Sequence, residues 1–298
     1  MQRSRIAFAF LVSVLMALGC LSSPAFAATP NRSTAAGEVP VRVGTYNILA
    51  GLTPAVFGSA VQALMARVDV AGLQEVNSMD KQRVLDSLGA SGWGHFRAAR
   101  GRGEQNPVIW NQARFRLHSA QAIRVAGATN VGNEMGGKNG GIVKAHFVSV
   151  VRLVDSLTGQ QISVVNGHLP PGAVKAGERW AGRPLLFERF VEELKAVVAV
   201  TRAERAWGQV FVMGDFNVGW VADDKRRKRP LPLRTFERVG MKSMWATERP
   251  AKQGTHNDAL IDQVYSTGAA TRASVEFDIT YSDHRPAVAV YALTDLTP

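Results

Sequence analysis

Apolar and polar positions divide the 298-residue chain into short β-branched runs and longer stretches of helical spacing. Val41–Leu49 reads as a strand, and Val70–Val76 as a short buried one. Between them Val56, Ala60, Leu64 and Val68 recur at helical spacing, which predicts a helix over Val56–Asp69. Val108–Trp110 and Phe115–Val125 predict further strands. Gly141–Val154 and Gln161–Leu169 predict a hairpin joined through Asp155–Gln160. Glu178–Ala206 reads as a helix, with Pro184 tolerated only near its true start, because an interior proline removes a donor and clashes with the preceding turn. Val210–Met213, Ile261–Tyr265, Ala273–Thr280 and Pro286–Leu293 complete the strands. Many strands with few, well-separated helices predict two sheets packed face to face with helices outside.

The first residues do not share this pattern. Arg3 and Arg5 precede an apolar run, Ile6–Leu18, and a small-residue stretch ends in Ala25-Phe26-Ala27. This predicts a signal peptide, residues 1–27, cleaved after Ala27, since the run is too short to span a bilayer comfortably. Ala17-Leu18-Gly19-Cys20 half-resembles a lipoprotein signal with its Leu misplaced, so lipidation at Cys20 is the lesser alternative. Residues 28–40, rich in Ala, Thr, Ser, Pro and Gly, read as a linker. No composition break follows, and residues 41–298 are expected to form one catalytic domain.

Cys20 is the only cysteine. After cleavage no thiol remains for catalysis or for a zinc-thiolate site, and roughly 270 residues can build a core without disulfides. The net charge is +11, or about +9 without Arg3 and Arg5. A strongly basic chain is drawn to polyanions, either nucleic acid or an anionic membrane surface.

Polar residues stand directly after several apolar runs: Asn47, Glu75, His168, and Asp215 with Asn217. Asp262 opens one strand and Asp283-His284 precedes another. Acids and amides at strand ends collect at one rim of a sheet. There they can hold a hard cation through oxygen, which polarises a phosphate and helps generate a hydroxide nucleophile. Histidines add proton transfer near neutral pH. Singly, each has a plainer explanation: Asp215 and Asn217 as turn residues, Glu75 as a helix cap, His168 as a surface histidine.

In order along the chain stand TYNIL (45–49), LQEV (73–76), NGHLP (166–170), MGDFN (213–217), ID (261–262) and SDHRP (282–286). From Val41 to about Leu293 the chain resembles the endonuclease/exonuclease/phosphatase superfamily, the deoxyribonuclease I-like fold. The resemblance implies an α+β fold, a four-layer α/β/β/α sandwich of two mainly antiparallel sheets. It implies Asn47, Glu75 and Asp283 at a divalent metal, magnesium by expectation, with manganese or calcium as alternatives. It implies Asp215 positioning the attacking water, Asn217 on the phosphate, and His284 on the reacting phosphate with Asp262 orienting it. It implies His168 as a second histidine. Glu104, six residues before Trp110, is its partner by spacing alone. Lys138 stands where the deoxyribonuclease-like members carry a phosphate-binding arginine. Three departures narrow the subgroup. Asn77 replaces the arginine that enters the minor groove, Leu49 replaces the acid of the AP-endonuclease-like members, and the WCDR signature of the inositol phosphatases is absent.

The expected function is that of a secreted nuclease with DNA or RNA as substrate, acting as a monomer with no protein partner. The alternative is a sphingomyelinase-type phosphodiesterase acting on membrane lipid. Those enzymes usually carry an exposed aromatic hairpin, and no clustered Trp/Phe hairpin is visible here. Gly132–Lys138 imitates a phosphate loop, but Asn139 stands where Ser or Thr is required. His256, Asp258 and Asp262 could be read as a metal cluster, but a turn leading into the Asp262 strand is the better reading, and Lys225–Arg229 is read as a solvated loop able to grip a polyanion. Trp93, Trp180, Trp207 and Trp245 are expected in packing, and His95, His118 and His146 receive no role.

Overall fold

The computed structural model describes residues 37–101, 103–227, 230–250 and 253–296. The expected signal peptide and the linker up to residue 36 lie outside the described residues.

The chain runs through β1 (Glu38–Asn47), α1 (Pro54–Met65), β2 (Val70–Gln74), α2 (Met79–Ser87), β3 (Trp93–Phe96), β4 (Val108–Asn111) and β5 (Phe115–Ala126). A two-residue pair follows, β6 (Thr129–Asn130) and β7 (Ile142–Val143), then β8 (His146–Asp155) and β9 (Gln161–His168). A second small pair, β10 (Val174–Lys175) and β11 (Glu178–Arg179), precedes α3 (Pro184–Glu204) and β12 (Gln209–Asp215). The remaining elements are α4 (Trp220–Arg226), α5 (Pro232–Glu237), β13 (Lys242–Ser243), β14 (Asp262–Ser266), β15 (Ala270–Val275) and β16 (Ala287–Thr294).

Two six-stranded sheets result, in the orders β15-β16-β1-β2-β4-β3 and β13-β14-β12-β9-β8-β5. Each has one parallel pair at its centre, β1 with β2 and β12 with β9. Every other pairing within the two sheets is antiparallel. Mixed sheets of this kind agree with the expected sandwich.

The two-residue period of a strand assigns the layers. On β1, Val41 and Val43 join the core between the sheets, while Tyr46 and, just past the strand, Ile48 join a second core with Phe57, Ala60, Val61 and Leu64 of α1. Thr53 caps α1 by accepting from the Val56 amide, and Pro54 occupies the first turn, where its missing N–H costs nothing. On the other side Leu186, Phe190 and Leu194 of α3 are buried with the second sheet. Among the described residues no helix is long and apolar enough to cross a membrane.

Beneath the rim that carries the polar strand ends the sheets lie close together at Gly72. A Cβ on Gly72 would collide with the Asn166 side chain. Asn166 Nδ2 donates to the carbonyls of Leu73 and Pro107, each at 2.8 Å, and its Oδ1 accepts from Gln74 Nε2 at 2.7 Å. This wholly buried amide ties the second sheet to the first.

Element boundaries differ from expectation for local reasons. Glu38–Pro40, assigned to the linker, pair with Thr294–Ala292 and extend β1. The helix predicted from Glu178 starts at Pro184, since proline fits a first turn and not an interior. The strand predicted over Ala273–Thr280 covers Ala270–Val275. α2, capped by Ser78, buries only Lys81 and Leu85, too little apolar periodicity to announce a helix.

Candidate active site

Strand register assembles the site. Asp215, the last residue of β12, pairs with His168 at the end of β9 on one side and with Asp262 at the start of β14 on the other. A parallel neighbour brings two strand ends together, and an antiparallel neighbour brings an end to a beginning. Three polar residues far apart in sequence therefore meet on one edge. Gly214 just before has φ +150°, and a Cβ there would strike the Gly167 carbonyl, so only glycine fits. Glu75 (φ +64°) and Asn217 (φ +52°) occupy the left-handed region without being glycine. Such backbone strain clusters at functional sites. At Asn217 it is supported locally, because its amide donates to Asp215 Oδ1 at 2.8 Å.

Asp215 Oδ2 is the hub. It accepts from Asn47 Nδ2 at 3.1 Å, and lies 3.4 Å from His168 Nε2 and 3.9 Å from His284 Nε2. Burial raises the Asp215 pKa, and the Asp262 charge adds to this, against opposing contributions from His168, His284 and the Asn217 amide. Raising a carboxyl pKa strengthens it as a proton acceptor.

His284 Nδ1 lies 2.8 Å from Asp262 Oδ2, and both residues are buried. Burial disfavours the imidazolium, but the charge and hydrogen bond of Asp262, with Asp215 and Asp283 beyond, more than offset it and lift the pKa to about 9. The structure thus brings Asp262 and His284 together as a buried hydrogen-bonded pair.

On the other side of Asp215, Asn217 Nδ2 donates to the Leu169 carbonyl at 2.9 Å and stands 3.0 Å from His168 Nε2. Asn217, rather than Glu104, is the hydrogen-bond partner that fixes this ring. Glu104 shares a groove with His168, but its carboxylate accepts from the Gly101 amide at 2.8 Å and makes no hydrogen bond to His168. The spacing that suggested the pairing carried no information about where the loop turns its side chain. Lys138 stands exposed in a 3-10 turn, Lys138–Gly141, and does not line this groove; Arg100 and Lys144 do.

Asn47 also donates to Glu75 Oε1 at 3.1 Å, while Glu75 Oε2 accepts from the Ala50 amide at 2.8 Å. Asn47 Oδ1 is buried with no partner, an acceptor that a cation would satisfy. The oxygens of Asn47 and Glu75 form a donor set suited to a hard divalent ion. Asp283, with a half-exposed side chain, is joined to this pair through Ser282, whose hydroxyl lies 2.9 Å from the Asn47 carbonyl and 3.1 Å from Asp283 Oδ1. Ligand atoms of Asp215, Asp262 and His284, and of His256, Asp283 and His284, also lie within 4.8 Å of one another. In the first of these groups Asp262 is already committed to His284 Nδ1, so its geometry is that of a proton relay.

Ser282 and His256 carry site geometry that sequence reasoning passed over. Ser282 accepts from the Leu49 and His284 amides and so fastens the Asp283-His284 turn to the end of β1. The His256 ring lies 4.3 Å from that of His284. The SDH run offered a signal for Ser282, and the nearby acids Asp258 and Asp262 offered one for His256, set aside in favour of a turn.

The chain belongs to the endonuclease/exonuclease/phosphatase family, whose model matches residues 44–284. Members of this family are typically divalent-metal-dependent phosphoesterases and nucleases, and this chain carries acidic and histidine groups able to hold such a metal. The fold is that of a Bacteroides thetaiotaomicron family protein, at TM-score 0.63 and 14% identity, covering 86% of this chain and 98% of that one. It is likewise similar to D. rerio TDP2 complexed with single-strand DNA product, at TM-score 0.55 and 13% identity, covering 85% and 98%. The human Nocturnin catalytic domain with bound sulfate matches at TM-score 0.56 and 16% identity, covering 85% and 94%. No curated protein matches the chain in sequence.

Proposed function

We propose that the protein is a secreted, divalent-metal-dependent phosphodiesterase that hydrolyses DNA or RNA. The observation that carries the reading is the hub at Asp215, with Asn47 and two histidines converging on one carboxylate oxygen. Asp215 accepts the proton of the attacking water and aims it at phosphorus. His284, held by Asp262, stabilises charge on the reacting phosphate from a buried position. Asn217 and His168 meet the phosphate from the other side. A cation held by Asn47 and Glu75, with Asp283 beside them, would supply Lewis-acid polarisation of a phosphate oxygen.

Nucleic acid is favoured by the net charge and by the cations Arg100 and Lys144 beside His168. The DNA product bound to the TDP2 relative, on a similar fold, agrees with it. The export signal in residues 1–27 is the support for secretion. One observation favours lipid: Phe277 and Tyr281 stand exposed on the connection from β15 to β16. Two exposed aromatics fall short of the clustered aromatic hairpin expected of a membrane-entering enzyme, and the acids beside them, Glu276 and Asp278, are paired to Arg67, so nucleic acid remains the preferred substrate.

Plasmid DNA, RNA and sphingomyelin vesicles incubated with magnesium or with chelator decide the matter. Metal-dependent cleavage of nucleic acid is expected. Cleavage of vesicles alone would replace the substrate assignment, and cleavage insensitive to chelator would remove the metal from the mechanism.

A further inference from the structure

His146 opens β8 on the wall of a groove of about 540 Å³ that His168 also lines. Its Nδ1 lies 2.9 Å from Glu193 Oε2. Glu193 is wholly buried on α3, and its other oxygen accepts from Arg189 Nε at 2.5 Å. Arg189 is buried as well and donates to the carbonyls of Gly127 and Lys144 and to Thr129 Oγ1. Charge balance does not require the histidine, because Arg189 already neutralises Glu193. The chain Arg189–Glu193–His146 instead leads outward to a ring whose side chain is 31% exposed. With Nδ1 engaged, Nε2 is the nitrogen left for a ligand. The arrangement repeats that of Asp262 behind His284, a buried carboxylate orienting an imidazole.

The groove presents Arg100, Lys144 and His146 as possible cations and Met135, Ile142 and Phe147 as apolar surface. Its one acid, Glu104, is turned onto the Gly101 amide. That combination suits a nucleotide, with the base on apolar and aromatic surface and the phosphate on basic groups. We infer that this groove seats the nucleotide adjoining the scissile phosphodiester and that His146 binds its phosphate. Glu193 holds Nδ1 and so orients the ring with Nε2 toward the groove, where it meets a phosphate oxygen. Glu193 acts as a positioning residue. The inference rests on the nucleic-acid reading above.

Two measurements test it. The first is anisotropy of a fluorescein-labelled single-stranded oligonucleotide in chelator over a range of salt. The second is hydrolysis of bis(p-nitrophenyl) phosphate with magnesium, a diester too small to fill the groove. His146→Ala should weaken oligonucleotide binding roughly 5–20-fold and lower the salt slope by about 0.7, the value of one phosphate contact on a single strand. Its turnover of the small diester should stay within about twofold, and His146→Arg should restore binding. Glu193→Gln should weaken binding in the wild-type background and add nothing in the His146→Ala background. Unchanged affinity and slope in a folded His146→Ala variant would overturn the assignment, as would an equal loss on both substrates. If the wild type hydrolyses the small diester but binds no oligonucleotide, the nucleic-acid reading falls and this inference with it. If it binds oligonucleotide but does not hydrolyse the small diester, only the catalytic reading falls.

Discussion

Asp262 Oδ2 stands 2.8 Å from His284 Nδ1, and the two residues are 22 positions apart on different elements of the rim. The pair explains why a buried imidazole holds its proton. Asp262→Asn keeps the shape and removes the charge. In chelator, NMR titration of the wild type should place His284 near pH 9, and the variant's midpoint should fall. His284→Ala should lower kcat by about 10²–10⁴ with folding retained by circular dichroism. A midpoint that ignores Asp262→Asn, or full turnover without His284, would refute the roles given to the pair.

Glu75 and Asn47 make a second test. A cation that binds only the folded state raises the melting temperature in proportion to the logarithm of its concentration. Magnesium or manganese should therefore stabilise the wild type, and Glu75→Gln should flatten that dependence while leaving the chelated protein close to wild type. A variant that responds to cation as the wild type does would place the metal elsewhere.

Asn166 has no partner outside the fold and four inside it: Gln74, Leu73, Pro107 and, by close approach, Gly72. Asn166→Ala removes three buried hydrogen bonds between the sheets, although the Pro107 carbonyl still accepts from the Leu73 amide and Gln74 Nε2 still donates to Thr45 Oγ1. A lost buried hydrogen bond costs about 0.5–1.5 kcal/mol, so urea unfolding should show a loss of about 2–4 kcal/mol, the three bonds sharing one side chain and so not adding independently. A loss under about 0.5 kcal/mol would mean that the amide is not a structural tie.

Asp223 supplies a pH signature of stability. It is wholly buried, with Oδ2 accepting from the Leu233 amide at 2.9 Å. Burial first, then the charges of Glu237 and Asp224, raise its pKa to about 6 against the Leu233 hydrogen bond and Arg227. The folded pKa exceeds the ordinary carboxylate value of 3.8. Between these two pH values the native state holds a proton that the unfolded state has lost, so stability falls as pH rises through that window. Asp223→Asn should thus match the wild type near pH 4 and exceed it by up to about 3 kcal/mol at pH 7.5, read as an upward shift in melting temperature. Equal gains at both pH values would point to packing rather than ionisation.

Much of this protein was decided along the chain itself. Strand phase follows from residues two apart, and helix starts follow from Thr53 and Pro54 or from Pro184, all local effects. The order of TYNIL, LQEV, NGHLP, MGDFN and SDHRP along the chain by itself places Asn47, Glu75, His168, Asp215, Asn217, Asp283 and His284 next to strand ends. Short polar helices such as α2 escaped notice because only two of their residues face the core.

What the tertiary structure alone decided is which side chains meet. Asn47 reaches Asp215 across 168 positions, and Asn166 reaches Gln74 across 92. Such distances are set by sheet register and by the gap between sheets, which no local pattern encodes. The same physics turned Glu104 onto a nearby amide instead of His168, because a loop carboxylate takes the donor its own turn presents. It also brought Glu193 from α3 behind His146, a histidine whose sequence neighbourhood carries no motif, since helix packing on a sheet decides what stands behind a strand residue.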